Sequence, residues 1–295
     1  GVATLLTMLL SIDFGPAVIT MSQRMAGGIN SFALLAIPFF ILSGLLMGRG
    51  GIAYRLIEFA KVLLGRVPGG LAFVNVISCA LFGSISGSAV ACTSAIGSFM
   101  LPTMAKEGYD KNFSGALTVT ASAAGMLLPP SNILIVYSLA SGGVSIAALF
   151  VGGYLPGFLT LFALMVVVGI YAKVKGFPSG EAVGFRDGVK KTLDAIPSLL
   201  LVVVIIGGII GGFFTATEAS VIAVLYSMFL AMVVYRAVSI KDLPGILVKS
   251  VETTAIVMLL IGTSSAMSWM LSYENIPQAI SQGLVGLSDN PYVIM

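Results

Sequence analysis

Long apolar runs separated by short polar clusters dominate the chain. Long stretches contain no Asp, Glu, Lys or Arg, among them residues 67–105, 112–172, 195–217, 219–235 and 253–273. Each is long enough for a membrane crossing or a hairpin, at roughly 20 residues per crossing. Their apolar positions recur at helical spacing and do not alternate strictly, which argues against a transmembrane β-barrel. The pattern predicts an all-α integral membrane protein.

Taken in order, residues 1–10 read as the end of a span, broken by Asp13-Phe14-Gly15-Pro16. A short helix to about Met25 and a turn at Gly27-Gly28-Ile29-Asn30-Ser31 follow, with Asn30 or Ser31 as N-cap. A span over 32–47 precedes residues 52–64, where Arg55, Glu58 and Lys61 form a charged stripe at i, i+3, i+6. That stripe suits an amphipathic arm lying in the membrane interface, the alternative being an ordinary connector.

Residues 71–104 read as a hairpin with its tip near Ser84 to Ser88. Two limbs of roughly 15 residues are too short to cross separately, so the chain is expected to return to its starting side. The span over 113–139 is interrupted at Gly125-Met126-Leu127-Leu128-Pro129-Pro130-Ser131-Asn132. Two prolines remove two backbone donors there and push Leu128 out of helical dihedrals, freeing carbonyls around Gly125 to Leu128. A span over 145–172 leads to the most basic connector (Lys173, Lys175, Arg186, Lys190, Lys191), assigned to the cytoplasmic side.

Spans over 196–213 and 217–235 follow, then an amphipathic stretch at 242–252 and a second hydroxyl-rich hairpin over 253–282. Its tip would lie at Gly262-Thr263-Ser264-Ser265, and Glu274, Asn275 and Pro277 would end it. The order span, charged amphipathic helix, hydroxyl-rich hairpin thus occurs twice. Duplicated halves with interrupted segments mark an inverted-repeat secondary transporter.

Composition narrows the reading. Hydrophobic residues make up 58% and charged residues 9%, with mean hydropathy +1.07; a soluble domain carries about 25% charged residues. The net charge of +3 lies in short loops, so topology explains it and nucleic acid is not a partner. No histidine is present, which removes the usual proton relay and metal ligand. Cys79 and Cys92 read as buried small hydrophobes. A serine hydrolase at Ser86-Gly87-Ser88 lacks an adjacent base. A channel would need charge rings or repeated filter motifs, which are absent.

Sodium takes oxygen ligands, chiefly carbonyls and hydroxyls. Ser86 and Ser88 on a hairpin tip, facing carbonyls of Gly125 to Pro130, would supply them at membrane depth without a formal charge. The competing reading has these serines bonding their own helices while the glycines allow close packing. An organic anion would sit beside the same tip. Broken-helix amides would meet it together with Ser84, Gly87, Ser131 and Asn132, and Ser265 from the second tip. Glu218, three residues after Thr215, has capping-box spacing, against the alternative of a buried functional carboxylate. Trp269 reads as an interface or packing residue.

Four ordered motifs carry a family resemblance. Gly27-Gly28-Ile29-Asn30-Ser31-Phe32-Ala33-Leu34-Leu35-Ala36-Ile37-Pro38-Phe39-Phe40, Ser84-Ile85-Ser86-Gly87-Ser88-Ala89, Leu128-Pro129-Pro130-Ser131 and Phe214-Thr215-Ala216-Thr217-Glu218-Ala219 resemble the large membrane subunit of tripartite ATP-independent periplasmic (TRAP) transporters. The last motif has Ala216 where the family often has proline. The resemblance implies an elevator-type, sodium-driven importer of organic acids, of sialic-acid or C4-dicarboxylate class, in a bacterial inner membrane. Its partners would be a small membrane (Q) subunit and a periplasmic substrate-binding protein. It uses no cofactor beyond coupling sodium ions. By that similarity one sodium site would use Ser86, Ser88, Gly125, Leu127 and Pro130, and a second Gly262, Thr263 and Ser264. The related alternative is a proton- or sodium-coupled anion symporter or antiporter without a binding protein.

On this reading, residues 1–66 form scaffold helices and a first interfacial arm, and 67–144 a first re-entrant hairpin and broken helix of the transport domain. Residues 145–252 form scaffold helices, connector and second arm, and 253–295 an incomplete second re-entrant hairpin. Both ends fall in apolar runs and read as cuts through a longer protein, without a visible signal peptide. The chain alone is therefore expected not to transport.

Overall fold

The computed structural model describes residues 1–141, 144–177 and 184–285. These are helices joined by short turns, with no strand among the described residues. The expected apolar run up to Met295 lies outside the described residues. Among the described residues five segments are long and apolar enough to cross a membrane: Phe32–Arg49, Ile146–Lys175, Phe185–Ile210, Ala216–Val234 and Ile240–Tyr273. The chain divides into two compact units, one of Gly1–Phe32 with the chain from Thr253 onward, the other Ala33–Glu252.

In the larger unit a 3-10 turn at Phe32–Leu35 leads into α3 (Ala36–Arg49), numbered after two helices of the other unit. Gly51, at φ +73, turns the chain into α4 (Ile52–Leu64). A hairpin follows, made of α5 (Gly70–Ser86) and α6 (Ala89–Lys106). The next helix is broken as expected, into α7 (Lys111–Gly125) and α8 (Asn132–Ala140). Ser145 caps α9 (Ile146–Lys175). The basic connector is partly helical, because Arg186, Lys190 and Lys191 lie on the first turns of α10 (Phe185–Ile210). A span with a charged amphipathic start needs no separate loop.

Helix α11 (Ala216–Phe229) opens with a complete capping box. The Glu218 amide donates to Thr215 Oγ1 at 3.3 Å, and Glu218 Oε2 accepts from the Thr215 amide at 2.8 Å. That settles Glu218 as a cap. Ala216 takes the first helical position, where proline's missing N–H also costs nothing. A π-turn at Leu230–Val234 ends the segment.

The centre of this unit is α5. It packs against α3, α4, α6, α7, α9 and α10, and all but three of its seventeen residues are buried. Lipid tails offer helices no hydrophobic reason to associate, so close van der Waals approach and interhelical hydrogen bonds must hold them. Small residues provide both. A Cβ on Gly44 would lie 3.0 Å from Ser86 Cβ, and one on Gly50 would lie 2.7 Å from Ala231 Cβ. Ser43 Oγ meets Ser227 Oγ at 2.8 Å, tying α3 to α11. Asn75 Nδ2 donates to Thr118 Oγ1 at 2.7 Å, tying α5 to α7.

Helix α4 buries Ile52, Ala53, Leu56, Ile57 and Ala60, and its charged stripe of Arg55, Glu58 and Lys61 is half-buried. Glu58 pairs with Lys61 at 3.0 Å on its own helix and with Lys191 of α10 at 2.7 Å. Arg55 sits 3.6 Å over the Tyr235 ring.

The smaller unit contains α1 (Val2–Ser11), α2 (Phe14–Ile29), the later part of α12 (Leu243–Tyr273) and α13 (Ile276–Val285). Its core is Met8, Ala17 and Met270, with Ile12, Met21 and Trp269 against it. Two expectations are corrected here. Gly27, Gly28 and Ile29 stay inside α2, and the chain turns at Asn30. The second hairpin tip is absent: Gly262, Thr263, Ser264 and Ser265 lie within α12, which runs unbroken from Leu243 to Tyr273. Small hydroxyl residues do not break a helix when they can bond back to the preceding turn, as Thr263 Oγ1 does to the Leu260 carbonyl at 3.0 Å. Proline is what separates the interrupted segment from this one. The chain does turn at Glu274-Asn275, with Asn275 at φ +53.

Candidate functional site

The hairpin tip is two residues long. Gly87 takes φ +59, a left-handed conformation that favours glycine, and a Cβ there would meet Asn132 Nδ2 at 2.9 Å. Ser88 then caps α6, its Oγ accepting from the Ala91 amide at 3.3 Å.

The break in the facing helix follows from its prolines. Helix α7 tightens as it ends: the amides of Met126, Leu127 and Leu128 donate to the carbonyls of Ala123, Ala124 and Gly125 at 3.3, 3.1 and 3.2 Å. The Gly125 carbonyl, expected to be free, is therefore engaged by Leu128 N–H and keeps its second lone pair. The carbonyls of Leu127 and Pro130 accept no backbone bond among the described residues.

Tip and break come together. Asn132 Nδ2 donates to the Gly87 carbonyl at 3.4 Å, and the Ala89 amide donates to Met126 Sδ at 2.9 Å. One turn away the backbones of α5 and α7 touch. A Cβ on Gly125 would lie 2.5 Å from the Cys79 carbonyl oxygen, and one on Gly83 would lie 3.0 Å from Gly125 Cα. Beyond this contact Asn75, Thr118, Cys79 and Ser122 form a buried polar seam, with Cys79 Sγ 3.4 Å from Asn75 Oδ1. Both cysteines are free and buried, as expected.

The serines differ in how their hydroxyls are bonded. Ser84 Oγ bonds the Leu81 carbonyl at 2.9 Å, a local packing role. Ser86 is fully buried, and its Oγ makes only a long contact, 3.5 Å to the Ser88 carbonyl. Ser131 is also fully buried, and its Oγ has no partner; nor has the buried Oδ1 of Asn132. Buried polar atoms are almost always paired, so two orphans at one helix break stand out. The second set, Gly262, Thr263, Ser264 and Ser265, is not gathered into a comparable arrangement, since helix α12 uses its own carbonyls.

Three contributors were not singled out in the sequence. Met126 fills the tip's exposed amide. Gly153 and Gly157, one turn apart on α9, admit the broken loop: a Cβ on Gly153 would lie 3.0 Å from the Leu127 carbonyl oxygen, and one on Gly157 would lie 2.7 Å from Leu128 Cδ2. That four-residue spacing is the visible signal, here accommodating loop backbone in place of another helix.

An all-helical membrane protein in which a short-tipped hairpin meets an interrupted helix falls in the class of transport proteins with discontinuous helices. The sequence matches the tripartite ATP-independent periplasmic transporter DctM component over residues 1–295, and the chain belongs to that family. The uncharacterized protein YgiK of Salmonella typhimurium is 48% identical over 100% of this chain and 68% of that protein. The C4-dicarboxylate TRAP transporter large permease protein DctM of Pseudomonas aeruginosa is 38% identical, over 100% of this chain and 68% of its own length. The sialic acid TRAP transporter large permease protein SiaM of Vibrio cholerae is 39% identical, over 93% and 64%. The chain is thus a large permease subunit of the inner membrane and not an enzyme.

Proposed function

We propose that this permease subunit imports an organic acid, of the C4-dicarboxylate or sialic-acid class, driven by sodium. It would work with a small membrane subunit and a periplasmic binding protein that delivers the substrate. The observation that carries the reading is the meeting of the hairpin tip with the broken helix, where neutral oxygens collect beside two unpartnered buried polar atoms. Ser86, Ser88, Gly125, Leu127 and Pro130 would hold the cation. Hydroxyls and carbonyls are the donors a monovalent hard cation takes, and the stretches carrying them contain no charge.

The 17- and 18-residue limbs of the hairpin span about 26 Å each at 1.5 Å per residue, which favours a hairpin that re-enters from one side. Movement of this element with the broken helix past the remaining spans is the elevator step. The test is uptake by proteoliposomes holding the full-length permease, its small subunit and the binding protein. A sodium gradient should drive uptake, and Ser86→Ala should abolish it. Uptake that follows a pH gradient and ignores sodium would overturn the reading.

A further inference from the structure

The smaller unit contains a polar groove that the tip site does not use. It lies between α2 and α12 and has a volume of about 780 Å³. One face carries Thr20, Gln23 and Arg24; the other presents Ser265, Ser268 and Ser272, spaced three and four residues apart on one stripe of α12. Gly28 brings the two helices together: a Cβ there would fall within 2.4 Å of Ser265 Cβ. Arg24 is the only charged residue lining the groove, and among the described residues no carboxylate pairs with it. Its guanidinium lies 5.1 Å over the ring of Trp269, which in turn stacks on Tyr273 at 5.2 Å.

We infer that this groove binds the carboxylate of the transported acid, with Arg24 as its anchor. The inference rests on the reading of the chain as an organic-acid permease. Ser272 Oγ bonds back to the Ser268 carbonyl at 3.0 Å, whereas Ser265 and Ser268 line the groove on a helix apolar enough to cross a membrane, where a hydroxyl is costly unless something bonds it. An arginine without an acidic partner offers a planar fork matched to a carboxylate, and the indole face holds that fork while leaving its N–H edge free. Hydroxyls at 265 and 268 complete the shell for a polar acid. The uncharged tip supplies no such counter-charge, so the cation and the anion would be recognised at separate places in the chain.

The experiment uses full-length permease with its small subunit and a reporter thiol at Gly27→Cys, a groove position where a new Cβ meets nothing within 4 Å. Alkylation at position 27 is followed by mass spectrometry with succinate, sialic acid or neutral succinamide present. At least one of the two acids should slow alkylation and succinamide should not. Adding Arg24→Gln should raise the protecting concentration about tenfold or more, the loss expected for a charge-assisted hydrogen bond, with Arg24→Lys in between. Protection unchanged by Arg24→Gln, or none with either acid while sodium-driven uptake continues, overturns the groove and leaves the proposed function standing. Normal protection combined with uptake lost only when the binding protein delivers substrate would make Arg24 a protein contact, which also overturns it. Protection without any sodium-driven uptake by the parental protein would sink the proposed function and not the groove.

Discussion

At the scale of the residue, glycine does two different jobs on one helix. Gly125 stands where α7 touches α5, and the atom its Cβ would strike is backbone, the Cys79 carbonyl oxygen at 2.5 Å. Backbone cannot swing aside as a flexible side chain can. Gly115, nearly three turns earlier, has nothing within 4 Å of its virtual Cβ. Gly125→Ala is therefore expected to destabilise the protein by about 1–3 kcal/mol, the usual cost of overpacking. Gly115→Ala should be neutral, or stabilising by up to about 1 kcal/mol through helix propensity. Thermal unfolding of the detergent-solubilised full-length permease distinguishes them, and equal midpoints for the two variants would contradict the close contact between α5 and α7. The sequence alone makes the two glycines look alike, because closeness of approach depends on the partner helix.

At the scale of the element, what could be read from the sequence depended on which residue marked the boundary. Pro129 and Pro130 announce a break because they lack donors, and the break stands where they put it. The tip was expected near Ser84 to Ser88; Ser84 to Ser86 stay inside α5, and only the left-handed Gly87 and the cap Ser88 make the turn. Gly262 to Ser265 offered small hydroxyl residues and no donor-less position, and helix α12 runs through them. The Met126 contact and the glycine pair on α9 were not legible, since each acquires meaning only from a neighbour distant in sequence. The charged stripe of α4 was legible as a surface, but its partner Lys191 was not. Burial alone would raise the Glu58 carboxyl, yet bonds to Lys191 and Lys61 outweigh it and hold the group below its ordinary value of 4.5. A carboxylate with a lowered folded-state value adds stability that is complete above its unfolded value and disappears as pH falls through the folded one. Glu58→Gln should thus lower stability at neutral pH by no more than about 1 kcal/mol, because water and salt screen such pairs, read as a lower unfolding midpoint. The difference should vanish as pH drops below the ordinary carboxylate value. A difference that persists in acid would mean that packing, and not the charge, ties α4 to α10.

At the scale of the whole molecule, the distribution of charge sets how transport must respond to pH. The proposed cation ligands are two hydroxyls and three carbonyls, and residues 67–105 and 112–172, which carry them, hold no Asp, Glu, Lys or Arg; the chain has no histidine. The tip and the break carry no titratable side chain, and the helices packed on α5 add carboxylates only at Glu58 of α4, which is paired with Lys61 and Lys191, and at Asp187 and Asp194 of α10. A cation held by carboxylates competes with protons; one held by neutral oxygens does not. The sodium concentration giving half-maximal uptake should therefore be the same at about pH 6 and about pH 7.5, a window across which a histidine would change charge. Proteoliposomes of the complete transporter, with the pH equal on both sides and the membrane potential clamped, give that concentration directly. A rise of about tenfold at the lower pH, equivalent to about 1.4 kcal/mol of lost binding, would require a titrating ligand that the tip and the break do not possess. The cation would then have to be held elsewhere, and the convergence of Gly87 with Asn132 would be a packing contact only.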